Sequence, residues 1–180
     1  GRVMLAQLIF HHVGDADLAM NLLDEAYALQ PDLMMIASSR AMILQAAGQI
    51  DEAIAFLDAE VARRNDFPAW LLRADFFSEI GRFDEAEQYY LHMTEFRKSA
   101  PTAFERLGEL YEKQGKMVQA MQIREAGLEI DPNHIALQRS LIRILVSSGR
   151  EEDRNRGLTL LEKTLQQRPD DAVLLAIWAT

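Results

Sequence analysis

The sequence predicts an all-α fold, a solenoid of five antiparallel helical hairpins followed by one extra helix. Three observations predict it. Gly14, Gly48, Gly81, Gly115 and Gly149 recur at intervals of 34, 33, 34 and 34 residues, and a period of that length surviving along a whole chain marks stacked repeats rather than one globular core. A small column, Ala19, Ala53, Ala86, Ala120 and Gly157, follows the glycines, where only a small side chain lets two helices approach closely. A third column of large residues, Phe10, Leu44, Phe77, Tyr111 and Leu145, stands four residues before each glycine. Around these columns apolar residues recur at helical spacing, as in Leu107, Leu110, Tyr111 and then Met117, Ala120, Met121.

The elements follow in order. Helices over 2–13 and 16–30 flank Gly14, and Pro31 ends the pair. Helices over 34–47 and 50–64 flank Gly48. Pro68 opens a helix over 68–80, where its missing N–H does no harm, and Gly81 turns the chain into a helix over 84–98. Pro101 likewise opens 101–114; Gly115 and the helix over 117–130 follow, closed by Pro132. A helix over 135–148 leads through a long turn, GREEDRNRG, into one over 155–168 before Pro169. Each of the five glycines is expected in the left-handed cap that costs glycine little. Glu151, Glu152 and Asp153 fall in the long turn and are expected to be solvated. A last helix begins near Asp171, with no second helix to cover Val173, Leu174, Ile177 and Trp178.

Residues 101–134 resemble a tetratricopeptide repeat through Phe104, Leu107, Gly108, Tyr111, Gly115, Ala120, Leu128 and Pro132. Residues 67–100 resemble it through Trp70, Ala74, Phe77, Gly81, Phe83, Ala86 and Tyr90, departing at Lys98 where proline is usual. The units 1–33, 34–66 and 135–170 carry the same columns more sparsely, and 171–180 is the extra helix. The resemblance implies a right-handed superhelix in a single array over 1–180. The uncovered apolar residues of the last helix lead to the expectation of a fragment of a longer protein, or of ends that stack on another copy, the alternative being that Trp178 folds back onto the fifth repeat.

Composition narrows the function. A net charge of −9 and no cysteine argue against nucleic acid, disulfides and thiolate metal sites. No apolar run reaches the ~18 residues of a membrane span. The compartment is left open between cytoplasm and bacterial periplasm. No phosphate-cradling glycine loop, H-E-x-x-H or Gly-x-Ser-x-Gly is present. His11 and His12 are adjacent and point apart on a helix, while His92 and His134 lie in other repeats. The expectation is a protein that is no enzyme and needs no metal or cofactor.

The resemblance implies that first helices line a concave groove. The candidate partner-binding residues there are Met4, Leu8, Met35, Met42, Leu71, Asp75, Glu79, Glu105, Glu109, Glu112, Arg139 and Arg143. The stripe runs from apolar through acidic to basic. One reading pairs Glu105 and Glu109 with Arg139 and Arg143 across neighbouring helices. The other is a groove with an adaptable methionine end and an acidic centre that takes a basic or amphipathic peptide or protein. The clamp of lysine and asparagine that grips chaperone tails in this family is absent at Met4, Leu8, Ser38, Ser39, Leu71 and Asp75. An arginine strip at 139, 143, 150, 154 and 156 lacks interleaved aromatics. Phe56, Tyr89, Tyr90 and Phe96 could anchor a partner on the outer face or pack within their own repeats. Two functions stand: an interaction scaffold, or a segment of a larger enzyme or bacterial envelope or polysaccharide-export assembly that positions other domains. Self-association through the terminal helix is a further expectation.

Overall fold

A computed structural model describes residues 1–95 and 100–179. The described residues form eleven helices: α1 (Arg2–Val13), α2 (Ala16–Leu29), α3 (Met34–Ala46), α4 (Ile50–Arg64), α5 (Phe67–Glu79), α6 (Phe83–Thr94), α7 (Ala100–Lys113), α8 (Met117–Ile130), α9 (Ile135–Val146), α10 (Glu151–Gln167) and α11 (Ala172–Trp178). They divide into two compact units, 1–89 and 90–180, with the division inside α6.

Local chemistry sets most helix ends. Asp15, Asp66 and Asp171 cap α2, α5 and α11 by accepting backbone N–H groups that would otherwise be orphaned. Gly14 ends α1 at φ 74°, its N–H donating to Ile9 O and Phe10 O. Gly48, Gly81 and Gly115 also have positive φ, but Gly149 does not. There the expected left-handed cap is absent, because Ser147 closes α9 in a right-handed turn and Arg150 leads straight into α10.

The fifth turn is shorter than expected. α10 starts at Glu151 rather than 155 and runs for 17 residues. Glu151, Glu152 and Asp153 are its first turn, where carboxylates face the positive end of the helix dipole. Asp153 is buried and accepts a hydrogen bond from Ser148 Oγ at 3.1 Å. α6 is described only to Thr94, so the expected extension to 98, with Phe96 and Lys98, lies outside the described residues.

Packing follows the columns. In the first unit α2 lies against both α1 and α3, and α4 against both α3 and α5; in the second, α8 lies against α7 and α9, and α10 against α9 and α11. Ala19, Ala53, Ala86 and Ala120 are fully buried. At Gly157 an added Cβ would stand 2.8 Å from both Leu145 Cβ and the Val146 amide nitrogen, so α9 and α10 touch there through backbone. Leu174, expected to be uncovered, is instead fully buried with Ile142 and Leu161, since a seven-residue helix still turns one side onto α9 and α10. Val173 and Trp178 do stay exposed.

Candidate functional site

First helices adjoin one another within each unit, α1 with α3 and α3 with α5, then α7 with α9 and α9 with α11. The candidate residues divide between these two faces.

In the first unit, Met4, Leu8, Met35 and Met42 are 67%, 50%, 53% and 37% exposed. The structure does not gather them into one place. Met42, Asp75 and Glu79 share a cleft of about 260 Å³ between α3 and α5, with Gln7, Ser38, Ser39, Gln45, Leu72 and Phe76. Met35 lines a different hollow with Val3 and Ile36. Leu72 rather than Leu71 faces the cleft; Leu71 is half-buried outside its lining. Gln7 Nε2 donates to Ser39 Oγ at 2.8 Å, and that hydroxyl donates to Met35 O, which fixes the polar end of the cleft.

Every arginine of this unit is engaged inside it. Residues 1–89 hold six arginines, no lysine and fifteen carboxylates, a formal −9. Arg2 pairs with Glu25, Arg40 with Asp24, Arg63 with Glu60 and Asp32, Arg64 with Asp66, Arg73 with Asp58 and Arg82 with Glu85. Buried Glu60 also accepts from Tyr27, and this bond raises the phenol above its ordinary range. The outer aromatics are similarly used within the fold. Phe56 meets Tyr27 edge-on at 6.4 Å, Tyr89 lies 6.3 Å from Phe77, and Tyr90 is buried.

The second unit is built around Glu112. Its carboxylate accepts from Arg124 and, at 2.7 Å, from Arg143. Arg124 is fully buried, also donating to Ser140 Oγ at 2.9 Å and Ala120 O at 3.1 Å. It lies against Gly108, whose missing Cβ leaves the space, since one there would stand 2.8 Å from Arg124 Cζ. Burial lowers this guanidinium's pKa and the Glu112 charge opposes that shift. Sequence reasoning missed Arg124, although a signal exists. It stands where the other repeats have Leu23, Leu57, Tyr90 and Leu161, all buried.

The expected pairing of Glu105 and Glu109 with Arg139 and Arg143 does not form. Arg143 goes to Glu112 and Arg139 to Asp171 at 2.6 Å, while Glu109 takes Arg106 on its own helix. Reach decides this. Glu112 lies one turn nearer the end of α7, level with Arg143, and Asp171 sits at the start of α11 beside Arg139. The Arg139 hydrogen bond holds the Asp171 carboxyl below the usual carboxylate range, helped by the Val173 and Leu174 amides. Glu105, Glu109, Glu112 and Arg143 line a cleft of about 290 Å³. A wider hollow of about 910 Å³ lies beside α11, with Arg139, Arg143 and Arg154 around Val146, Leu158, Val173 and Ile177.

Among the described residues no group of three or more His, Cys, Asp or Glu is placed to hold a metal ion, and no helix is long and apolar enough to cross a membrane.

The comparisons with known proteins agree with the fold. Tetratricopeptide-repeat profiles match residues 67–99 and 103–136. The TPR repeat-containing protein YpiA of Bacillus subtilis is 25% identical over 169 residues; the match covers 92% of this chain but 39% of that protein, so the chain spans about two fifths of its length. A thermophilic TPR protein of Thermus thermophilus superposes with a TM-score of 0.63 at 17% identity, covering 99% of this chain and 95% of the other. YrrB, described as a TPR protein with an unusual peptide-binding site, superposes with a TM-score of 0.58 at 16% identity, over 99% and 91%. Residues 67–99 and 103–136 are thus tetratricopeptide repeats by direct match, the same columns run through the other hairpins, and the chain as a whole has the fold of the solved tetratricopeptide-repeat proteins.

Proposed function

We infer that the chain is a non-catalytic interaction scaffold that takes a peptide or protein segment on its first-helix faces. One observation carries this reading. Met4, Leu8, Met35 and Met42 stand exposed on α1 and α3, while Val3, Ala6, Ile36 and Ile43 of the same helices are buried. Covering a large apolar side chain is worth about 1.5–3 kcal/mol, and methionine adapts to varied partners. The repeat supplies that surface already folded, so little ordering of the receptor opposes binding. A structural neighbour described by its peptide-binding site lends further support.

The test is peptide display against the full chain, followed by binding to Met42→Glu, Glu109→Arg and a second-helix control, Glu129→Arg. Enriched peptides should lose binding to a first-helix variant and keep it to the control. Peptides indifferent to both first-helix changes, or no enrichment at all, would overturn the reading.

A second reading is that of a repeat segment positioning other parts of a larger assembly. It is favoured by the chain's span of 39% of its Bacillus relative. Exposed Val173, Leu175 and Trp178 on α11 offer a surface for self-association, which sedimentation of the wild type against Trp178→Glu would reveal.

A further inference from the structure

The whole formal charge of the molecule lies in its first half, residues 90–180 being neutral with thirteen Lys and Arg against thirteen Asp and Glu. No arginine of residues 1–89 is left over, because each of the six is already held by a carboxylate of the same unit. Part of the acidic surplus has a definite place. Asp51 and Glu52 begin α4, Asp84 begins α6, and Glu79 ends α5. All lie at the hairpin-turn edge. Their bland role is to face the helix dipoles, but that role does not extend to Glu79, which sits at a C-terminal end where the dipole is unfavourable to an anion. Glu79 is exposed and enters no ion pair among the described residues.

The α3–α5 cleft runs toward that edge. It begins at Ser38 and ends at Gln45 and Glu79, about 10 Å along the helix at ~1.5 Å per residue. Between its ends Met42, Leu72 and Phe76 supply an apolar floor. An apolar floor with an unpaired carboxylate one turn along asks for a ligand of matching order.

We propose that this cleft receives a cationic amphipathic segment of a partner protein. An apolar side chain sits on Met42, Leu72 and Phe76, and a lysine or arginine one turn away meets Glu79. The surrounding acidic edge steers the segment in over roughly a Debye length, about 10 Å at 0.1 M salt. This rests on the scaffold reading and adds to it the location and the charge of the ligand.

The test uses two fluorescein-labelled 14-residue peptides on an alanine background. Each has a leucine row at helical spacing, one with lysines a turn from the leucines and the other with glutamates there. Anisotropy titrations of the full chain in 50 mM and 500 mM NaCl give affinities. The lysine peptide should bind at least tenfold more tightly than the glutamate peptide at low salt, with the gap closing at high salt. Met42→Gln and Glu79→Lys should each weaken it at least fivefold, while the charge-matched Glu129→Lys changes it less than twofold. Both altered side chains are exposed, so circular dichroism should show unchanged helicity. Equal binding of the two peptides, no binding of either, or equal losses at Glu79 and Glu129 would overturn the proposal. Preference for the glutamate peptide, lost on Arg143→Glu, would overturn it too yet leave the scaffold reading standing.

Discussion

Arg124 shows how one residue changes the chemistry of a repeat. A leucine column becomes a guanidinium, and the fold answers with Gly108 for space and Glu112 for charge. The two partners are not equally expendable. Glu112→Ala strands a buried cation and should cost about 3 kcal/mol or more. Arg124→Leu restores the column's usual residue and leaves Glu112 with Arg143, so it should stay within about 1 kcal/mol. Chemical denaturation of both variants checks the asymmetry; equal losses would deny it. Gly157→Ala is a second case. Alanine gains about 1 kcal/mol in helix propensity, but its Cβ would press on the Val146 backbone, which cannot turn aside. Overpacking of this kind costs ~1–3 kcal/mol, so the variant should melt lower than the wild type.

At the scale of elements, α11 depends on one carboxylate used twice. Asp171 caps the helix through Val173 and Leu174 and pairs with Arg139 of α9. Its folded pKa is depressed, so the stabilisation is complete above the ordinary carboxylate value, about 3.9, and is lost as pH falls through the folded one. Hydrogen exchange of residues 172–178 should therefore accelerate relative to α9 between pH 5 and pH 2. Asp171→Asn should already exchange fast at pH 6 and show little further change. α10 carries the same lesson in sequence terms. Three residues inserted after Gly149 read as a longer turn, yet they lengthen the helix, because a run of two glutamates and an aspartate is a good first turn and the Ser148 hydroxyl reaches forward to donate to Asp153.

For the whole molecule, the uneven charge has a physical consequence. Residues 1–89 carry nine uncompensated carboxylates and residues 90–180 none. Screening relieves like-charge repulsion, so raising salt from 20 to 300 mM should slow exchange in α2, α3 and α4 more than in α8 and α9. A uniform response would show that the local ion pairs, weakened by the same salt, dominate.

The hairpins are legible in the sequence, because a turn glycine and a small residue five places on are local demands that the first four repeats meet, while the fifth has Gly157 eight places after a Gly149 that is not left-handed. The large residues before the turns of the later repeats are legible too, since Leu44, Phe77, Tyr111 and Leu145 recur with the repeat and are all buried. Partners were another matter. That Arg143 joins Glu112 rather than Glu105 or Glu109, that Arg139 joins Asp171, and that Leu72 replaces Leu71 in the cleft all depend on the rotation and offset of neighbouring helices. A one-residue shift turns a helical side chain by about 100°. Spacing places a residue on a helix, and only the tertiary structure decides which neighbour its side chain can reach.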